Sequence, residues 1–374
     1  MDEAVAPSTR AVSRPTRVLL LAVAAALAIK VPALFGLEFE DGGGRSGDFY
    51  LRNLGLFCLP FLAVHLLRNG TAPRRLYMSL ALVFAVGAAF TNAYPFESSG
   101  STTALVAIHM PVALWAVVGV AHSGVPTPTQ AQRLAFVRFT GEWFIRYALL
   151  ALGGMVLMGL AAGAFTAAGL SDDTLESMLT GWLLPCGAMG AVVVAAWMAE
   201  EGQGATTILA PTLARVFTPL FTVFLAALLV TVTVSGEGIG SDREVLILFD
   251  LVLVVVLGLV LYTTSARGPG ERPTLLDRLS AVLITCAVGV DTVALVGIAR
   301  RIGDHGLSPN RTAALGLNLL LLVNLVWSLV LLAGFLLRRR PFGALEVWQA
   351  RFLPAFPAWA VLVVVAFPPA FGFA

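Results

Sequence analysis

Residues 245–264 read VLILFDLVLVVVLGLVLYTT, twenty residues with one charge, Asp250. At about 1.5 Å per residue a helix of this length rises about 30 Å, the thickness of bilayer hydrocarbon. In that solvent every backbone polar group needs a partner inside the protein, so only a helix or a closed barrel can cross. The run is too long and too uniformly apolar for a barrel strand, which alternates apolar and polar positions. Residues 245–264 therefore read as a transmembrane helix with an acid inside it.

The same pattern recurs on both sides. The apolar runs are 17–37, 51–68, 76–95, 102–121, 141–169, 179–199, 214–235, 245–264, 279–299, 311–337 and 355–373. The fold class this predicts is all-α, a polytopic transmembrane helix bundle of about eleven spans. What is left makes short connections. Residues 1–374 read as a single integral membrane domain, with 1–16 as a cytoplasmic N-terminal tail and 338–354 as a cytoplasmic basic, interfacial segment. The run 141–169 is long enough to tilt or to leave the membrane. The first run follows Arg10, Arg14 and Arg17, and Ala26-Leu27-Ala28 imitates a signal-peptide cleavage site. With ten runs behind it and Lys30 close by, an uncleaved helix is the preferred reading.

Composition agrees. The chain is 58% hydrophobic and 12% charged, with mean hydropathy +0.87. Soluble domains carry roughly 25% charged residues. Half that share cannot coat a water-facing surface, which excludes a soluble enzyme, and disorder needs the opposite bias. A net charge of +2 excludes nucleic acid as a partner by bulk charge. Lys30 is the only lysine among 24 basic residues, a bias that suggests a GC-rich bacterial genome and hence a bacterial cytoplasmic membrane. The expected partner is the lipid bilayer, with a small solute or ion as a further candidate. Cys58, Cys186 and Cys286 lie in apolar runs and form no disulfide or metal-binding spacing. No metal and no cofactor is expected. The phosphate-loop, HExxH, GxSxG and SxxK motifs are missing, Gly42-Gly43-Gly44 precedes no phosphate-binding helix, and Asn69-Gly70-Thr71 hugs the membrane.

Basic residues in the connections orient the bundle. With the N-terminus inside, sixteen arginines fall on inner segments, among them Arg68, Arg74, Arg75, Arg133, Arg138, Arg338, Arg339 and Arg340. Six fall outside: Arg45, Arg52, Arg243, Arg300, Arg301 and Arg311. Acidic residues such as Glu38, Glu40, Asp41, Asp172 and Asp173 favour the outer connections. The reading is N-in, C-out. Arg300, Arg301 and Arg311 crowd one outer turn and break the rule. Either the span count is off by one upstream, or these arginines contact an anion or lipid headgroup outside. Ser308-Pro309 reads there as a helix N-cap followed by proline at the first helical position. On the inner side Phe342, Leu345, Trp348 and Phe352 recur at helical spacing and predict an interfacial helix on anionic lipid.

Polar residues inside spans are costly and point to function by default. Counting at about 1.5 Å per residue from the outer boundary, Asp250 lies about 7 Å deep, Asn318 about 9 Å, Lys30 and His109 about 10 Å, and Asp291 about 12 Å. Asn324 lies near the middle, and Asn92 is shallower. Glu142 and Arg146 form an i,i+4 pair at a helix entry. Depth does not show lateral contact, so two readings stand. Asp250, Asp291 and Lys30 pair inside the bundle and fix its packing, with asparagines bridging helices. Alternatively, they line an outward-opening cavity for an ion, proton or small polar substrate, joined by Asn318 and His109. Asp291 is the strongest candidate. Ala287 and Ala294 share its face and let a neighbouring helix approach, and a buried aspartate can carry a proton. Gly159 and Gly163 form a GxxxG helix-packing face. Pro60, Pro111, Pro185 and Pro219 are in-span kink positions.

Several segments resemble an uncharacterised family of bacterial multi-span membrane proteins, the domain of unknown function numbered four-one-five-three. They are Phe49-Tyr50-Leu51-Arg52-Asn53-Leu54-Gly55, Trp182-Leu183-Leu184-Pro185-Cys186-Gly187-Ala188, Arg215-Val216-Phe217-Thr218-Pro219-Leu220 and His305-Gly306-Leu307-Ser308-Pro309-Asn310-Arg311. The resemblance runs from about Phe49 to the C-terminus. It implies architecture and lends no activity, substrate or catalytic residue. Because it includes Asn310 and Arg311, it favours a role for the outer arginines.

Three functional classes remain. A permease-like transporter of a small solute or ion needs a mid-membrane site lined by the acids. A non-transporting scaffold, sensor or partner subunit needs its acids neutralised by partners. An intramembrane enzyme on a lipid-linked substrate needs ionisable groups in reach of one another beside a lipid-sized groove, with outer arginines reading phosphate. No catalytic residue is assigned.

Overall fold

The computed structural model describes residues 13–37, 44–67, 72–98, 100–167, 171–201, 209–234, 243–267 and 272–373. Within them every regular element is helical, and eleven helical segments are long and apolar enough to cross a membrane. Each overlaps one of the eleven apolar runs, the architecture of a polytopic membrane protein. Residues 1–12, Glu38, Glu40, Asp41, Gly42, Gly43, Arg68 and the Asn69-Gly70-Thr71 site lie outside the described residues.

The helices are α1 (Arg14–Ala28), α2 (Gly44–Leu67), α3 (Arg74–Ala93), α4 (Ser101–Ser123), α5 (Gln130–Ala167), α6 (Asp172–Glu176), α7 (Leu184–Glu201), α8 (Leu209–Val234), α9 (Arg243–Ala266), α10 (Leu275–His305), α11 (Pro309–Leu336), α12 (Gly343–Phe352) and α13 (Ala355–Ala370). A 3₁₀ turn, Val31–Phe35, prolongs α1, and a π-helical stretch, Ser177–Leu183, joins α6 to α7. Pro185 directly follows the π-helical stretch inside the continuous helical span Asp173–Glu201, and Pro60, Pro111 and Pro219 are inside α2, α4 and α8.

Two apolar cores form. The first is built by α2, α3, α4 and α7, with Phe136 and Phe139 from α5 and Val364 from α13. The second is built by α8 to α12. α1 lies on α7 through small residues. Val18, Ala22, Ala25 and Val193 pack together, and a side chain at Gly190 would come 3.2 Å from the Ala22 carbonyl oxygen. Close backbone approach of this kind replaces the hydrophobic effect as the driving force between helices in lipid. Asn53 and Asn92 exchange amide hydrogen bonds of 3.0 and 2.8 Å and clamp α2 to α3. α5, 38 residues and about 57 Å long, runs past both cores. Gly141 leaves room for the Tyr262 ring of α9 there. Its second half is different. No atom of the described residues would lie within 4 Å of a side chain at Gly159 or Gly163, so the packing face expected from GxxxG has no partner among them.

The 338–354 segment also differs from expectation. α12 runs antiparallel beside α11, with Phe342 against Phe335 and Trp348 against Trp327. Leu345, Gln349 and Ala350 are buried, and Gln349 reaches Asn324 and Ser328 well inside α11. The apolar face that periodicity assigns to lipid, Phe342, Leu345 and Trp348, packs on α11 instead, and Gln349, between Phe342 and Leu345 on the helix circumference, adds the polar contacts. α12 and α13 form one apolar segment broken at Leu353-Pro354.

Helix ends follow local chemistry. Ser308 accepts the Arg311 N–H with Pro309 beside it, and Thr274 and Asp277 form a reciprocal capping box at α10. α11 ends in a Schellman motif. The Arg338 N–H donates to Phe335 O (2.9 Å) and the Arg339 N–H to Gly334 O (2.8 Å). Arg338 holds the left-handed position at φ 56°, where glycine is the ordinary residue. A side chain there costs about 1–2 kcal/mol.

Candidate functional site

α9, α10 and α11 converge on three polar residues of the second core. Asn318 is fully buried, and its amide donates to Asp250 Oδ1 (2.7 Å) and to Ala314 O (2.9 Å). Both amide protons are thereby used, and Asn318 Oδ1 has no partner. Asp250 is half-buried and lies within electrostatic reach of Asp291 on α10. Asp291 is 0% exposed, and neither of its carboxylate oxygens has a hydrogen-bond partner among the described residues. Ala287 and Ala294, on its face, are also fully buried, which brings the neighbouring helices close.

The chemistry is one-sided. Three buried oxygens, two from Asp291 and one from Asn318, can accept and have no donor among the described residues. A buried charged carboxylate with neither donor nor counter-charge is among the most expensive groups a protein interior can hold. What such a set of acceptors takes is a positive group: a proton, a monovalent cation or a cationic substrate atom. Among the described residues no cluster of three or more His, Cys, Asp or Glu exists that could hold a metal ion.

The other sequence candidates lie elsewhere. Lys30 does not join the aspartates; its ammonium sits 4.6 Å from the centre of the Trp182 ring, presented by the π-helical stretch before α7. His109 on α4 donates through Nδ1 to Leu105 O at 2.9 Å, a bond within its own helix. Arg300 and Arg301 belong to the last turns of α10, with Arg300 exposed and Arg301 half-buried. Arg311 donates to His305 O (3.1 Å) and Gly306 O (2.6 Å), closing the carbonyl end of α10. Asn310 reaches Ser101 Oγ at 3.2 Å and ties α11 to α4. Glu142 and Arg146 form the expected pair at 3.4 Å, with Arg146 buried.

Two polar groupings escaped sequence reading. Glu200 of α7 takes Arg14 of α1 at 2.9 Å and His65 of α2 at 3.3 Å. The Glu200-Glu201 pair at the end of the sixth run was the available signal. Arg267 of α9 pairs with Asp277 and stacks between the rings of Phe335 and Phe342. No protein-family model, curated protein or solved structure matches the chain.

Proposed function

We propose that this protein is a permease-like transporter of a small solute or ion, with Asp291 as the group that takes up a proton or monovalent cation. One observation carries the reading: Asp291 is sealed from solvent with both carboxylate oxygens unpartnered. A scaffold would neutralise its buried acids, as Asp277 is neutralised by Arg267. Asp250 and Asn318 complete the site, and Asn318 fixes the orientation of the Asp250 carboxylate. The burial of Asp291 corresponds to an occluded arrangement, which alternating access must open to one side at a time. The N-in, C-out orientation and a bacterial cytoplasmic membrane belong to the same proposal, resting on arginine distribution and arginine bias. Membership of the resembled family is proposed on the four quoted segments alone.

The test is flux in proteoliposomes. A panel of ions and small solutes is applied to wild type and to Asp291→Asn, with pH- and sodium-sensitive dyes inside and size-exclusion profiles as a folding control. Wild type is expected to move at least one species together with a proton or cation, and Asp291→Asn to lose that coupled flux. Equal flux by both proteins, or no flux by wild type for any species, would overturn the proposal.

A further inference from the structure

At the α11 end remote from Asn318, two connections face one another. Arg272 and Pro273 come from the α9–α10 connection, and Arg338, Arg339, Arg340 and Pro341 from the α11–α12 connection. With Phe335 they line a cavity of about 570 Å³ that is broadly open to solvent. All four arginines are exposed. No salt bridge joins any of them to a carboxylate among the described residues; Glu271, the neighbour of Arg272, lies outside those residues. Asp277, in the first turn of α10, is held by Arg267, and Glu346, in the first turn of α12, forms no salt bridge with these arginines among the described residues.

The backbone here is built rather than loose. Gly334 O accepts the N–H of both Arg339 (2.8 Å) and Arg340 (3.1 Å), and Phe335 O accepts that of Arg338. A side chain added at Gly334 would come 3.2 Å from Cδ of Arg340, so the arginine stem lies close over this glycine. At the left-handed position of this turn the chain carries an arginine in place of glycine. Strain retained at one residue points from the outlier toward a function for its side chain.

We infer that this cavity binds a phosphate group carried on a larger molecule. Guanidinium groups present paired N–H donors that match phosphate oxygens. Four of them around one cavity repel each other until an anion enters. Because the cavity is open, the phosphate can sit among the arginines while the rest of the molecule stays partly outside, and Phe335 with the two prolines gives an apolar wall beside it. Lipid headgroups and soluble phosphates share this chemistry. The inference is independent of the role given to Asp291.

The test uses the full chain in nanodiscs. One arm compares discs of phosphatidylcholine with discs that also contain phosphatidylglycerol. The other adds inorganic pyrophosphate to phosphatidylcholine discs. Thermal unfolding and native mass spectrometry read binding to wild type, Arg338→Gly and Arg272→Gln with Arg339→Gln. Wild type is expected to gain thermal stability in at least one arm; a response confined to phosphatidylglycerol identifies the lipid source, and one to pyrophosphate the soluble source. Loss of one guanidinium should weaken binding roughly tenfold. Arg338→Gly should do so while raising the ligand-free unfolding temperature, because glycine suits the turn. No response of wild type in either arm, or an equal response in all variants, would overturn the inference.

Discussion

α11 carries two buried asparagines with opposite fates. Asn324 exchanges hydrogen bonds with Gln349 of α12 at 3.1 and 3.3 Å, Gln349 donates to Ser328 at 2.7 Å, and Ser328 donates back to Asn324 O at 2.6 Å. Trp348 Nε1 adds a bond of 3.4 Å to the same carbonyl. Every donor has an acceptor, and the cluster sews the folded-back α12 to α11. Asn318, further toward the helix start, holds Asp250 but leaves its own oxygen and both oxygens of Asp291 empty. A closed network specifies packing, whereas an open set of acceptors requires something the chain does not supply. Sequence depth does not say which of the two asparagines finds a partner; partner accounting separates them.

The contrast predicts opposite signs. The largest effect belongs to Asp291→Leu. Removing an uncompensated carboxyl in favour of an apolar side chain should stabilise the fold by about 2 kcal/mol while coupled flux is lost entirely. Denaturant titration and proteoliposome flux on the same preparation check both halves, and a destabilised Asp291→Leu would break the comparison. Gln349→Ala should act the other way. It strands the Asn324 amide and the Ser328 hydroxyl and should cost about 1–2 kcal/mol, with flux per folded molecule unchanged. Loss of flux at wild-type stability would move the Asn324 cluster from packing to function.

The eleven spans were legible because crossing hydrocarbon is a one-dimensional requirement, met by composition along the chain. The run 102–121 became Ser101–Ser123, and 311–337 became Pro309–Leu336. Helix caps at Ser308 and Thr274 are equally local. Asp250, Asp291 and Asn318 were found because charge and amides are scarce in such runs. Lateral neighbours were not legible. Lys30 and Asp291 have similar depth, yet α1 packs on α7 and α10 on α8, α9 and α11. Nothing in a hydropathy pattern tells one bundle from the other. The fold-back of α12 escaped for a related reason: an amphipathic helix looks the same whether its apolar face meets lipid or another helix. Arg311, expected to face an anion or headgroup, is placed in the structure on the carbonyls of His305 and Gly306, because the tight turn brings a guanidinium six residues past the α10 end back over that end.

The most direct test of the open acceptor set is chemical. Dicyclohexylcarbodiimide, an apolar reagent, modifies protonated carboxyls within membranes, and peptide mass spectrometry locates the product. The account predicts labelling at Asp291 that slows when the pH is raised or sodium is added, with Asp277 unmodified beside Arg267. An Asp291 that stays unlabelled under all conditions, or is labelled at a rate neither proton nor sodium changes, would contradict it.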